Sequence, residues 1–200
     1  MGAQRKPKAP AVSKSGTGPP GAFLSGRLVD LVPPEVEDAE PLSRWLNDPA
    51  VWMPFARLWP TNVEAERQWI AAQLSRRDEL NFMIFERASG KPVGLAGLRS
   101  LDAANATARL GILVGEAGSR GKGLGTEATA LLVSYGFDFL GLRRVNLSVL
   151  ATNAPAIRVY EKLGFVREGL ERKAVLRNGE YVDVVHMGLF REEFRGRSGS

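Results

Sequence analysis

Cysteine is missing from this chain of 200 residues, and histidine occurs once, at position 186. Without thiols the protein has no disulfide framework, no thiolate metal site and no cysteine nucleophile. The single imidazole of His186 leaves no histidine cluster for a metal ion, so we predict that no metal is bound. The lack of cysteine agrees with a reducing compartment, and we predict a cytoplasmic location.

Long apolar runs are missing as well. No run in the sequence approaches the roughly 20 apolar residues that a membrane-spanning helix needs. The N-terminal segment carries charges but has none of the apolar core of a secretory signal. The sequence therefore predicts no membrane partner.

The net charge of +5 comes from the N-terminal segment alone. The first 29 residues contain five bases and no acid, whereas the 22 bases that follow equal the 22 acids in number. Residues 1–24 are also rich in Pro, Gly and Ser, a composition that cannot bury enough apolar surface to fold. We predict a flexible basic leader over 1–24, one domain over 25–194 and a disordered tail over 195–200.

The stretch 108–139 combines a strand pattern, a glycine-rich loop and a helix pattern. A short apolar run ends at Val114, and the loop follows to Gly125. Apolar residues then recur at steps of three and four up to Phe139, which places them on one face of a helix. The first turn of such a helix offers free N–H groups and partial positive charge to an anion, and glycines let a phosphate approach the backbone. We interpret this stretch as a pyrophosphate-binding loop.

Two common phosphate motifs do not fit the loop. A P-loop needs Ser or Thr after its lysine, but Gly123 follows Lys122. A dinucleotide fingerprint needs a third glycine at the position of Thr126. What remains is Arg120-x-x-Gly123-x-Gly125.

With this motif the sequence resembles the GNAT superfamily of N-acetyltransferases, in which the pattern wraps the pyrophosphate of acetyl-coenzyme A. The segment 153–165, NAPAIRVYEKLGF, is similar to a later motif of the same family. The R-W-x-N-D-P stretch at 44–49 and the N-G-E-Y stretch at 178–181 resemble the ribosomal-protein and spermidine acetyltransferases within it.

The resemblance implies acetyl-CoA as the co-substrate and a set of residues that bind it. Strand residues would pair with the pantetheine arm, loop residues would hold the pyrophosphate, and the later helix would contribute a cap and a phenol. In order these are Ile112, Leu113 and Val114; Arg120, Gly121, Lys122, Gly123, Leu124, Gly125 and Thr126; and Asn153, Ala156 and Tyr160. Tyr160 would also be the catalytic acid that protonates the departing thiolate, although its spacing fits a core residue too.

The fold class that follows is α/β (α+β), with a GNAT-type mixed, mainly antiparallel sheet of about seven strands flanked by about four helices. Apart from 108–139, the patterns predict helices at 35–46, 61–77 and 153–164. They predict strands at 26–32, 82–86, 93–98, 144–150, 166–177 and 180–189, and an irregular apolar segment at 50–60. Thr61-x-x-Glu64 is typical of a capping box at the start of the second helix.

The proton acceptor for the amine is not evident from the sequence. Arg109 stands where many relatives have glutamate, so the usual base is missing. A water chain ending at Glu37, Asp48 or Ser148 is one alternative. Arg109 itself faces either an acidic group of the acceptor or solvent.

The predicted function is transfer of acetyl from acetyl-CoA to a primary amine through a ternary complex. The acceptor is a peptide or protein N-terminus, a polyamine or a small amine, and ribosomal protein is one such partner. Trp52, Phe55 and Trp59 either line an acceptor groove or belong to the core. Alternatives are a non-catalytic acyl-CoA sensor, or a ribosome- or RNA-associated protein that uses the basic leader. The strands after Phe165 suggest pairing into a homodimer.

Overall fold

The computed structural model describes residues 21–55, 59–73 and 75–196. Over these ranges the chain forms eight strands and five α-helices. They are β1 Leu24–Ser25, β2 Val29–Val32, α1 Ala39–Asn47, α2 Pro49–Phe55, α3 Val63–Gln73, β3 Glu79–Glu86, β4 Lys91–Asp102, β5 Thr107–Val114, α4 Leu124–Asp138, β6 Arg144–Leu150, α5 Ala154–Leu163, β7 Val166–Arg177 and β8 Glu180–Phe190. In this part of the chain, no helix has the length and apolar character that crossing a membrane requires.

The strands form one sheet in the order β1-β2-β3-β4-β5-β6-β8-β7. Every neighbouring pair is antiparallel except β5 and β6, which are parallel. These two strands pair over only three residues each, and the last pair joins Arg109 to Asn146. Beyond that pair the strands separate, so the edge of β5 that faces β6 has no strand partner. The result is a cleft at the carboxyl ends of β5 and β6.

The two faces of the sheet are covered by different helices. The larger core lies on the side of α4 and α5, where Leu132, Phe137 and Leu147 are buried. On the other side, Trp45 of α1 and Ile70 of α3 bury a smaller cluster against the β3–β5 part of the sheet. Side chains alternate between faces along a strand, so neighbouring residues of β5 and β6 reach opposite sides of the cleft.

The predicted fold class is confirmed, and several local predictions are wrong. The strand predicted at 26–32 begins only at Val29, and the helix predicted at 61–77 spans Val63–Gln73. The segment after Asn47 is helical from Pro49 to Phe55, because Oδ1 of Asp48 accepts the N–H of Ala50 at 2.9 Å and proline suits a first helical turn. Asn62, rather than Thr61, accepts an N–H at the start of α3, at 2.8 Å from Ala65.

Residues 1–20 of the predicted leader and 197–200 of the predicted tail lie outside the described residues. The leader's last two residues belong to the fold. Leu24 is buried in β1, and the ring of Phe23 stacks on that of Phe82 with centroids 5.4 Å apart.

Candidate active site

The loop between β5 and α4 has the geometry of an anion cradle. Gly121 and Gly123 adopt φ values of +76° and +82°, which side chains disfavour. Gly123 is the N-terminal cap of α4 and no side chain caps the helix, so its first-turn N–H groups remain directed toward the loop. The arrangement suits a phosphate, because free amides and the helix dipole act on the same position.

The side chain of Arg120 binds the backbone at the end of β5. Its Nε and Nη2 donate to the carbonyls of Val114 and Gly115, each at 3.1 Å. The guanidinium therefore braces the loop against the end of β5 while keeping further N–H donors. Lys122 is exposed and lies 3.8 Å from the carboxylate of Glu86, which leaves its ammonium accessible.

Gly125 lets α4 lie close to β5. A Cβ at this position would be 3.2 Å from Cγ2 of Val114 and 3.8 Å from Cδ1 of Ile112. Both strand residues are half-buried, whereas Leu113 points to the opposite face and packs in the smaller cluster. The unpaired backbone edge of Ile112, Leu113 and Val114 faces the cleft. The sequence resemblance predicts that the pantetheine arm lies along this edge.

The helix α5 places Tyr160 in the larger core, on the side of the sheet that α4 also covers. Oδ1 of Asn153 accepts the N–H of Ala156 at 3.3 Å and caps the helix, and Gly164 ends it at φ +105°. Tyr160 is 8% exposed and packs edge-to-face on Phe165. Burial raises the pKa of Tyr160 to about 12, so the phenol remains protonated at neutral pH.

On the opposite face, four polar side chains form one hydrogen-bonded chain across the mouth of the cleft. Nη2 of Arg109 donates to Oγ of Ser148 at 2.7 Å. That oxygen lies 2.9 Å from Nδ1 of His186, and Nε2 of the same ring lies 3.1 Å from Oε2 of Glu171. Arg109 thus bridges the two separated strands rather than facing solvent alone.

The three residues proposed as the end of a water chain lie in different environments. Glu37 is exposed in a short 3-10 helix, and Asp48 is occupied as the cap of α2. Only Ser148 reaches the cleft. Sequence reasoning missed its partners His186 and Glu171, because the register of β6, β7 and β8 brings together residues far apart in the chain.

The aromatic residues predicted near the acceptor differ in their exposure. Trp52 is half-buried, and Trp59 is 82% exposed. The side chain of Phe55 lies outside the description. A cavity of about 280 Å³ lies instead between α1, α3 and the sheet, and it reaches Gly97, Arg99 and Gly111 on the floor.

The R-W-x-N-D-P stretch at 44–49 packs against the loop that follows β5. The ring of Trp45 occupies the space that a Cβ at Gly115 would need, so glycine is required there. Glu116 accepts from Nη2 of Arg44 at 3.2 Å. Asn47 donates to the carbonyl of Thr61 at 2.8 Å and accepts its N–H at 3.0 Å. These contacts position α1 against both the loop and the start of α3.

The site contains no evident metal position. Across residues 21–55, 59–73 and 75–196, no group of three or more histidine, aspartate or glutamate side chains is arranged to hold an ion.

Comparison with known proteins identifies a family and several similar chains. A family model described as an acetyltransferase (GNAT) domain matches residues 28–166. The N-acetyltransferase p20 of Bacillus licheniformis is 32% identical over 81% of this chain and 92% of its own length. The spermidine N(1)-acetyltransferase of Escherichia coli K12 is 31% identical over 59% of this chain and 62% of its own. A crystal structure of spermidine N-acetyltransferase from Vibrio cholerae with CoA and spermine has a TM-score of 0.78 at 21% identity, covering 84% of this chain and 98% of that one.

Proposed function

Because the chain belongs to the GNAT family of acetyltransferases, which use acetyl-CoA, we propose that the cleft between β5 and β6 is where its acetyl transfer to an amine occurs. The single observation that carries this proposal is the glycine cradle at Gly121 and Gly123, directly beyond the unpaired edge of β5. The first-turn amides of α4, braced by Arg120, bind the pyrophosphate. Leu124, Gly125 and Thr126 supply those amides, and Lys122 adds charge.

The unpaired edge of Ile112, Leu113 and Val114 hydrogen-bonds the pantetheine arm and aligns the thioester with the cleft. A backbone N–H on this edge is positioned to stabilise the carbonyl oxygen as it becomes anionic. Holding amine and thioester together in one orientation contributes further to the rate.

Tyr160 stabilises the departing sulfur. Burial raises the pKa of Tyr160 to about 12, so the phenol is protonated at neutral pH and has its hydrogen available for the sulfur. Tyr160 therefore donates a hydrogen bond to the sulfur while the carbon–sulfur bond breaks, and any proton that it passes on is replaced from water.

The charges near the cleft favour an acceptor that is not a polycation. Arg99 and Arg109 are cross-strand partners, so their exposed side chains share the face on which the acceptor would lie. Neither forms an ion pair with a described residue. Glu79, the other cross-strand partner of Arg99, is paired with Arg76 at 3.2 Å, so Arg99 and Arg109 still present two cations that repel the distal ammonium groups of a polyamine. A peptide N-terminus or a small amine, with an anionic group nearby, suits this surface better.

The edge strand β7 supports self-association as a further part of the proposal. Val166, Leu170 and Leu176 are at least half exposed, as is Tyr181 on β8 beside it. An exposed apolar edge strand pairs readily with another strand, here one from a second copy of the chain. Leu170→Lys is expected to abolish the dimer, as measured by light scattering, whereas Glu180→Lys on the same hairpin should leave it intact. If the protein without substitutions is a monomer, self-association is excluded.

We place the reaction in the cytoplasm, which is supported by the cysteine-free composition. The basic leader leaves ribosomal protein as one acceptor to be tested. If the leader recruits it, acetylation should fall steeply with salt in the full chain but not after deletion of residues 1–20.

The decisive experiment measures acetyl-CoA binding by titration calorimetry and free-thiol release with a panel of peptides, amino acids, small amines and polyamines. We expect one-to-one binding and thiol release that depends on an amine. Binding without release by any amine would favour an acyl-CoA sensor, and absence of binding would exclude both functions.

A further inference from the structure

We propose that Ser148, His186 and Glu171 form a proton relay that accepts the proton of the incoming amine. The inference rests on the proposed function and assigns its missing base. Arg109 has no group that could accept a proton, but its Nη2 donates to Oγ of Ser148 at 2.7 Å and so positions a hydroxyl that can.

The hydrogen-bond partners define how the relay is protonated. Arginine has only donors, so Oγ of Ser148 accepts from Arg109 and its own O–H is free to donate to Nδ1 of His186. The carboxylate of Glu171 only accepts, so Nε2 of the neutral ring carries the hydrogen. The lone pair of Nδ1 therefore points at the Ser148 hydroxyl, which is the arrangement that a base needs.

The relay lies at the point where the strands separate. Ser148 is two residues beyond Asn146, the last residue of β6 that pairs with β5. Its neighbours Leu147 and Val149 point into the larger core, which also contains Tyr160. Ser148 therefore reaches the opposite face from the phenol. When a thioester lies between the strands, Tyr160 stabilises its sulfur from one side. Ser148 deprotonates the incoming amine of the acceptor from the other side.

The relay is also accessible from solvent. The side chains of His186 and Glu171 are 45% and 62% exposed. A Cβ at Gly169, the residue of β7 opposite His186, would be 4.0 Å from the ring, so that position adds no side chain to cover it. An acceptor can approach the serine, and the imidazole can return its proton to water after each turnover.

The proton and electron balance of the step is complete. Most primary amines arrive as ammonium ions at neutral pH and must lose a proton before they attack. Oγ of Ser148 takes that proton and passes its own to Nδ1, and Glu171 stabilises the resulting imidazolium. The amine lone pair then forms the carbon–nitrogen bond, the carbon–sulfur bond breaks, and the sulfur leaves with the electron pair. The proton lost from the new amide balances the one that the thiol gains.

The test compares four variants of the full chain: Ser148→Ala, His186→Ala, the double variant and Glu171→Gln. Ser89→Ala, in an exposed turn, and Glu168→Gln, which removes another carboxylate of β7, are the matched controls. A positioned base contributes about 100-fold or more to the rate. We expect each of the first two changes to lower kcat by at least about 100-fold, with acetyl-CoA affinity unchanged.

Two amines of different basicity separate a relay from a structural role. The α-amine of alanyl-alaninamide has a pKa near 8, and the ε-amine of N-acetyl-lysinamide has one near 10.4. At about pH 8.5 the first is mostly neutral, whereas only roughly one per cent of the second is. The defect of His186→Ala should be at least about tenfold smaller with the α-amine, and added imidazole should restore part of the lost rate.

The double variant completes the test. When two residues act as one unit, removing both lowers the rate no more than removing one. We expect Ser148→Ala combined with His186→Ala to be no slower than the slower single variant. Multiplicative losses, equal defects with the two amines, or full activity in His186→Ala would overturn the relay while leaving acetyl transfer intact. Absence of thiol release by the unchanged protein with every amine would overturn the proposed function and the relay together.

Discussion

The carboxylate of Glu127 accepts the backbone N–H of Leu28 at 2.6 Å. The same carboxylate accepts from Arg27 at 3.0 Å and from Val29 at 2.9 Å. One side chain in the first turn of α4 therefore binds three consecutive amides of the turn between β1 and β2. This contact connects the helix that forms the cradle to the edge of the sheet.

Glu127→Gln is expected to destabilise the protein. The amide side chain has one acceptor oxygen and no charge, so at least one backbone N–H loses its partner, at a cost of about 2 kcal/mol. For a chain of this size the melting temperature should fall by roughly 4–8 °C, measured by calorimetry. Glu180→Gln, at an exposed position of β8, should change it little.

Gly123→Ala is expected to weaken acetyl-CoA binding. Alanine at φ +82° costs about 1–2 kcal/mol, which the chain avoids by distorting the cradle. Titration calorimetry should give a dissociation constant for acetyl-CoA raised by about tenfold. Gly118→Ala is the control in the same loop, because a Cβ there meets nothing within 4 Å. Equal affinities in the two variants would place the pyrophosphate elsewhere.

Tyr160→Phe is expected to lower kcat by at least about tenfold and to leave acetyl-CoA affinity unchanged, since only the hydroxyl is removed. The pKa of about 12 adds a second expectation. The phenol stays protonated until the pH approaches this value, so its ionisation should cause no loss of turnover below about pH 10. A stopped assay of acetylated product over pH measures both effects.

Arg109→Glu is expected to shift acceptor preference toward polyamines. The change inverts the charge at this position of the acceptor face. We expect the ratio of kcat/KM for spermidine to that for a dipeptide to rise by at least about tenfold, because repulsion becomes attraction. Arg167→Glu is the control, because Arg167 pairs with Glu161 of α5 at 2.9 Å and does not line the cavity. An unchanged ratio would show that Arg109 does not face the acceptor.

Arg87→Met is expected to destabilise the sheet severely. Arg87 lies 2.8 Å from Asp30, whose side chain is 1% exposed, so the change leaves a buried carboxylate without its cation. Such a loss costs about 3–5 kcal/mol, which denaturant unfolding measures. Combining it with Asp30→Leu should recover most of the stability, whereas Arg76→Met at an exposed pair should cost less than about 1 kcal/mol.

Local patterns were sufficient for most of the fold. The hairpin at Asn178-Gly179 forms with both residues at positive φ, as the dipeptide predicts. The helix from 124 matches its apolar period to within one residue at its end. The segment after Asn47 was missed because its helix depends on a cap by Asp48 that apolar periodicity does not reveal.

The glycines of the cradle and the helix that carries Tyr160 are determined by the sequence, because turn geometry, capping and helical spacing act between residues close along the chain. The relay is decided only by tertiary structure. Ser148, His186 and Glu171 come from three strands whose register is set by burial of their other faces, and Arg109 reaches Ser148 from the last residue of β5 that pairs with β6. Local sequence patterns do not reveal these contacts, because the contacts depend on how strands that are far apart in the chain lie beside one another.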